Sequence, residues 1–442
     1  MKQEYFFGQA KWVGEAERTP GSFSVLRGSF YINSAKRVSL NVLGLGFFKC
    51  YINGVCINPD TFLPLSTDYE SGCDPVDEII SGHRIYVPEF DITDYVRNGK
   101  NTIAVHFGGG WYTWLRVYGL PKAIYRISVE DDDGVKDYVS DKTCRIGHGY
   151  MEKYTFVNHE QHNYADFPLC FGTDFDDSCW KYAAECEALD TDYCVTDCPS
   201  DSLIEKIQVK KVSEDKNSSV YDCGMNTTGY PSLRVFGKKD EIIRVIFSEE
   251  LLNDSTLNLN YVHNQEFQIK CDGIERIIQP EFTWFGFRCF EIIGNATPEC
   301  VKVVHANVPI TSSFNCDNET LNWIYNTFVH TMLCNMHTGI PSDCPHIERR
   351  GYTGDGQVTC NAALSTLGGE KFYKKWLQDI ADSQDKISGH VQYTAPYVIS
   401  GGGPGGWGCA IVEVPYQIYK HYGDTEVLTK YYSNMCRYID YM

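Results

Sequence analysis

Pro341-Ser-Asp-Cys-Pro-His-Ile-Glu-Arg-Arg-Gly-Tyr-Thr-Gly-Asp355 lies between two stretches of helical periodicity and carries the carboxylates Asp343, Glu348 and Asp355. Pro341 and Pro345 forbid a continuous helix, and Gly351 and Gly354 permit sharp turns, so the acids are expected on a loop and not on a solvated helix face. Loops on a rigid scaffold commonly carry catalysis. Cleavage of a glycosidic bond needs carboxyl groups in different roles, one to protonate the leaving oxygen and others to hold the sugar and offset oxocarbenium charge. Spacing alone leaves the question open, because an acidic chain also gathers such acids by chance.

On either side of this loop the apolar period is helical. From Asp317, residues Leu321, Ile324, Tyr325, Phe328, Met332, Leu333 and Met336 recur mostly at three- and four-residue steps, the stripe of an amphipathic helix. Further helical patterns follow at about 356–367, 370–384, 409–421 and 425–442, separated by Gly368-Gly369 and the run Gly401-Gly-Gly-Pro-Gly-Gly406. The last has Leu428, Tyr431, Tyr432, Met435, Tyr438 and Ile439 on one side. Upstream the period is two. Arg37-Val-Ser-Leu-Asn-Val-Leu43 alternates, and Asn53-Gly54 signals a hairpin because both residues tolerate positive φ. Glu241-Ile-Ile-Arg-Val-Ile-Phe247 and Arg288-Cys-Phe-Glu-Ile-Ile293 are strand candidates of a second β region. The expected organisation is a β-sandwich over 1–183, an acidic, cysteine-bearing linker over 184–204, a second β-domain over 205–310 and a helical domain over 311–442.

Composition narrows the function. The chain has 442 residues, too many for a single core, and its net charge of −19 repels polyanions, so nucleic acid is not an expected partner. Aromatic residues reach 14%; they suit stacking on sugar rings, but sandwich cores explain most of them. The 19 cysteines lack paired spacings and fit a reducing cytoplasm better than a disulfide framework. The first residues hold no apolar run long enough for a signal peptide, and no stretch of about 18 apolar residues offers a membrane span. His330, Cys334 and His337 sit at helical spacing, yet no second cluster completes a zinc site, so no metal is expected. Cys344 and His346 are too close in sequence to favour a thiolate–imidazole pair. The glycine run lacks the Lys and Ser or Thr of a phosphate loop and leads into Trp407, which reads better as an aromatic platform.

The letters around the three acids are more specific than their spacing. Asp343-Cys-Pro-His-Ile-Glu-Arg-Arg-Gly-Tyr-Thr-Gly-Asp355 closely resembles the catalytic loop of the family 78 glycoside hydrolases, the inverting alpha-L-rhamnosidases. The resemblance continues through Tyr51-Ile-Asn-Gly54, Gly108-Gly-Gly-Trp-Tyr112, Asp174-Phe-Asp-Asp-Ser-Cys-Trp180, Tyr221-Asp-Cys-Gly224 and Phe282-Thr-Trp-Phe-Gly-Phe-Arg288, in the order of that family's accessory domains. It implies jelly-roll-like β-sandwich domains, the first similar to carbohydrate-binding modules, followed by an all-α (α/α)6-type barrel that is incomplete here. It also implies Glu348 as general acid, Asp343 and Asp355 on rhamnose hydroxyls, and Tyr352 and Trp407 packed on the sugar. The general base would be a Glu later in the barrel, beyond Met442. Ile347 stands where many members have an Arg, and Cys409 where an Asp is common. The expected partner is a rhamnose-containing oligosaccharide or glycoside, with no cofactor. The alternative is a non-catalytic carbohydrate-binding fragment. A last helix with a full apolar stripe and no stop signal expects another helix beside it, so the chain reads as truncated, with uncovered apolar surface that favours homo-oligomers.

Overall fold

The computed structural model describes residues 1–442 except 18–22, 72–78, 114–117, 261, 263, 399–400 and 402–404. Two antiparallel sheets face each other in the first part. One orders Ala184–Glu185, Val13–Gly14, Lys122–Asp131, Arg37–Leu45 and Glu89–Asp91, with Gly134–Val139 paired to Lys122–Asp131. The other orders Lys181–Tyr182, Arg145–His148, Ser24–Ile32, Gly99–Phe107, Phe48–Ile52 and Val55–Cys56. The alternation in Arg37–Leu45 turns Val38, Leu40 and Val42 into the core, each fully buried. Asn53 and Gly54 take φ of 52° and 88° and close the hairpin between Phe48–Ile52 and Val55–Cys56.

A ten-stranded sheet forms the second β part, with Ser218–Val235 between Phe285–Ile293 and Ala296–Ala306 at its centre. Met151–Thr155 and His159–Asn163, placed in the first sandwich by the sequence reading, belong to this sheet instead; His159–Asn163 pairs in parallel with Glu266–Lys270. The stretch 184–204, expected as a linker, is stitched into sheets: Ala184–Glu185 pairs with Val13–Gly14, Asp192–Cys194 with Arg84–Tyr86, and Asp201–Ile207 with Ala296–Ala306. Leu189, Tyr193 and Cys198 are buried among its acids, and these apolar anchors hold the stretch down. The 18 cysteines among the described residues are free.

Five helices follow among the described residues: α1 (Glu319–Cys334), α2 (Thr353–Thr366), α3 (Glu370–Ser383), α4 (Ala410–Tyr422) and α5 (Thr425–Tyr441). The Asn318 side chain caps α1 by accepting from the N–H groups of Thr320 and Leu321 at 3.0 and 3.3 Å, and Asp424 caps α5 through Glu426 and Val427. Gly423, at φ 69°, ends α4 in the left-handed conformation. Helix α4 packs on α2, α3 and α5. The stripes read from sequence are only half covered. In α1, Met332 and Leu333 are buried while Leu321 and Ile324 are 47% and 50% exposed; in α5, Tyr431 and Tyr438 are buried while Tyr432 and Ile439 face outward.

The helices dock on the β parts through polar as well as apolar contacts. Arg84 grips Asp382 with two N–H groups, the Ser383 hydroxyl donates to Asp68 at 2.8 Å, and buried Lys375 bridges Asp379 and the Ser66 carbonyl. One apolar cluster runs from Phe6 through both sheet systems to Tyr438.

Candidate active site

The loop that carries the acids begins at a tight hairpin, Met336–His337 against Ile340–Pro341, turned by Thr338 and Gly339 at φ 50° and 77°. It ends where Tyr352 bridges to Thr394 and α2 begins. Between these points the chain folds on itself, since the Asp343 N–H donates to the Arg350 carbonyl at 3.2 Å and the Arg350 N–H returns to Asp343 Oδ1 at 3.1 Å. The Cys344 thiol donates to Asp343 Oδ2 at 2.9 Å. Burial pushes the Asp343 carboxyl above its ordinary range, opposed by the Cys344 thiol and Arg350 N–H and reinforced by the charge of Glu348. Burial and the adjacent Asp343 carboxylate push the Cys344 thiol up to about 11, so it is a donor here and not a nucleophile.

Glu348 is half exposed at the loop's tip. The Tyr352 hydroxyl donates to its Oε2, with Arg350 Nη1 3.8 Å from the same oxygen and 3.3 Å from the Tyr352 hydroxyl. Burial and this hydrogen bond raise Tyr352 to about 12. The Tyr352 ring meets Trp407 edge-on at 5.6 Å, and Tyr393 flanks the same indole at 4.8 Å. Gly354 is required where it stands, because a Cβ there would lie 2.7 Å from the Trp407 ring. Asp355, expected on the loop, instead lies exposed in the first turn of α2, because the helix begins already at Thr353, and Gln357, two residues on, donates to the Gly406 carbonyl at 3.3 Å beside Trp407. Glu348, Asp343, Tyr352 and Trp407 are thus joined by direct contacts or through Arg350. Asp355 shares their end of α2, and among the described residues no side-chain hydrogen bond joins it to them. The glycine run before Trp407 lies partly outside the described residues.

The two arginines of the loop point to different places. Arg350 stays with Glu348 and Tyr352, whereas Arg349 turns into the second β part, 1% exposed, and burial lowers its guanidinium to about 9. Next to it, His346 lies 3.7 Å from Glu249, whose carboxyl burial raises. Nothing in the sequence around Glu249 singles it out, since its neighbour Glu250 makes the pair look like a solvated turn. Of the residues considered for zinc, His330 and Cys334 stay in contact at 3.6 Å, with the His330 ring also 2.5 Å from the Asn226 carbonyl, while His337 is buried elsewhere, its Nδ1 2.6 Å from Asp201 and its ring stacked on Trp284. Chemically, the loop offers one accessible carboxyl with a phenol and a guanidinium beside it, a second carboxyl behind it, and an aromatic wall. That set suits proton donation to an oxygen of a ligand lying against the rings.

Comparison with known proteins gives consistent results. Three consecutive domain models match: the alpha-L-rhamnosidase N-terminal domain over residues 33–205, the bacterial alpha-L-rhamnosidase concanavalin-like domain over 212–308, and the bacterial alpha-L-rhamnosidase 6 hairpin glycosidase domain over 309–442. An alpha-L-rhamnosidase of Formosa agariphila is 26% identical over 433 residues, which cover 89% of this chain and 44% of the relative. The structure of an alpha-L-rhamnosidase from Dictyoglumus thermophilum superposes with a TM-score of 0.90 at 29% identity, covering 100% of this chain and 52% of that one. The Streptomyces avermitilis alpha-L-rhamnosidase complexed with L-rhamnose gives 0.87 at 26% identity, covering 96% and 42%. The chain therefore spans about half the length of these relatives.

Proposed function

Because this chain belongs to the alpha-L-rhamnosidase family, we propose that it is the acid-bearing part of an inverting glycoside hydrolase that removes terminal alpha-L-rhamnose from oligosaccharides or glycosides. The observation that carries this reading is the half-exposed Glu348 carboxyl, bonded to the Tyr352 hydroxyl at the edge of the Tyr352–Trp407 wall. In this reading Glu348 gives its proton to the glycosidic oxygen as the bond to the anomeric carbon breaks. Asp343 and Asp355 accept from sugar hydroxyls and offset the developing positive charge, and Tyr352 and Trp407 cover one face of the ring. Water attacks the opposite face, activated by a base that inversion places about 6.5–9.5 Å from the acid.

We assign that base to helices outside these 442 residues, and we read α1 to α5 as part of a larger (α/α)6-type barrel. Relatives about twice as long and the exposed Leu321, Trp323 and Ile324 of α1 support both points. The free cysteines favour a cytoplasmic enzyme, and among the described residues no helix is long and apolar enough to cross a membrane. Turnover of an aryl alpha-L-rhamnoside by the natural full-length protein, beside arabinoside and mannoside controls, tests the proposal. Selective hydrolysis of the rhamnoside supports it. Rhamnose binding without turnover of any substrate would favour the non-catalytic carbohydrate-binding alternative.

A further inference from the structure

Arg349 ties the loop to the second β part, with Nε on the loop's own backbone and both terminal nitrogens on the sheet system. Its Nε donates to the Pro345 carbonyl at 2.8 Å, Nη1 to the Phe156 carbonyl at 2.6 Å and Thr283 Oγ1 at 2.8 Å, and Nη2 to the Trp284 carbonyl at 2.5 Å. The guanidinium carbon lies 4.8 Å from the Trp284 ring centroid. Its backbone sits at φ 54°, a conformation that a long side chain adopts only where its surroundings hold it there. The receiving end is itself fixed: the N–H groups of Glu281, Phe282 and Thr283 all donate to the carboxylate of Glu160, at 2.7, 3.0 and 2.9 Å, and Glu160 is completely buried. The adjoining strand also touches the loop directly, because a Cβ on Gly286 would fall 2.9 Å from Pro345 and 3.0 Å from His346.

We infer that Arg349 is a positioning residue, whose seat in the second β part fixes the loop on which the neighbouring Glu348 presents its carboxyl. This rests on the acid role proposed for Glu348. The left-handed turn at 349 sends that side chain inward while residues 348 and 350 face the site, and the Asp343–Arg350 bonds close the loop at the very next residue. A guanidinium is needed because its N–H groups must reach separate acceptors in fixed directions, which an ammonium does not supply. With every arm engaged, Arg349 does not touch sugar. It also explains how a loop bounded by turn residues can hold an acid in one pose.

The test uses Arg349→Met and Arg349→Lys in the natural full-length protein, with two readouts. In the methionine variant, amide exchange across residues 343–352 should rise about tenfold or more while strands Phe285–Ile293 and Ala296–Ala306 keep their protection. Its kcat on an alkyl rhamnoside, which needs a proton on the leaving oxygen, should fall by about 10–100-fold with KM nearly constant, while a dinitrophenyl rhamnoside, which does not, loses far less. Lysine should recover part of both. Unchanged exchange in the loop would overturn the inference, as would an equal loss on both substrates that lysine does not relieve. If the wild type hydrolyses neither substrate, the proposed function fails, and exchange alone decides whether Arg349 fixes the loop. If the methionine variant does not fold, the lysine variant carries the same two readouts.

Discussion

The sheets and the helices of this chain differ in how completely they use their apolar residues. In the sheets, Val38, Leu40, Val42, Phe247, Phe285 and Phe287 are all fully buried. In the helices, Trp323, Tyr432 and Ile439 remain more than half exposed although each lies on a stretch with a strong apolar period. The sheets, although Tyr31, Val135 and Ile242 stay exposed on them, form the more finished body, and the helices, closed at α3 but open along α1 and α5, form the more open one. Yet the candidate acid belongs to the open body. Its loop gains rigidity by reaching across into the finished one, through Arg349, so the chemistry and its mechanical support come from different parts of the chain.

That contrast can be broken most forcefully at the acid. Glu348→Gln keeps the shape and the Tyr352 contact but removes the donatable proton, and should lower turnover of substrates with poor leaving groups by about 10²–10⁴-fold while rhamnose binding persists. An unchanged rate would remove Glu348 from the acid role. A smaller effect is expected where the two bodies are clamped. Arg84→Met strips the charged partner from Asp382, which is 9% exposed and among the described residues keeps only the Gln378 amide at 2.9 Å, and should cost toward the lower end of about 3–5 kcal/mol, with sheets and helices melting in separate transitions in calorimetry. One undivided transition with little loss would show that apolar contact alone joins them.

The sheets should also be the acid-sensitive body. His106 is fully buried against Tyr150, Phe171 and Phe282, and among the described residues neither of its ring nitrogens has a hydrogen-bond partner. Burial lowers it to about 3. The unfolded chain therefore binds a proton that the folded chain refuses between about pH 6.5 and 3, and stability present above that window is lost as pH falls, by about 2 kcal/mol at pH 5. His106→Gln should abolish that share of the pH dependence in denaturant titrations followed at pH 7 and pH 5. Persistence of the full slope would place it on other groups. The smallest effect belongs to the open faces: Trp323→Gln and Ile439→Gln should change the stability of the 442-residue chain by less than about 0.5 kcal/mol. A larger, concentration-dependent loss would mean that a second copy covers them.

The sequence carried much of this in local signals. Asn53-Gly54 acts within a few residues, so its letters announce the hairpin it closes. The order Asp343, Glu348, Tyr352 was readable for the same reason, as one short loop. What escaped was long-range. His159–Asn163 reaches the second sheet by pairing with residues more than a hundred positions away, and no pattern within its own letters marks that choice. Arg349 carries no local signal of its seat, and only the tertiary fold shows its acceptors at 156, 283 and 284. The stripes of α1 and α5 reported apolar spacing faithfully, but spacing does not say whether a neighbour is present to cover it.

The account stands most directly on the stereochemistry of the first product. Proton NMR of an alpha-L-rhamnoside undergoing hydrolysis by the natural full-length protein should show beta-L-rhamnose forming first and the alpha anomer appearing only by later mutarotation, as a single displacement by water assisted by Glu348 requires. Alpha-L-rhamnose as the first product, or no hydrolysis at all, would contradict it.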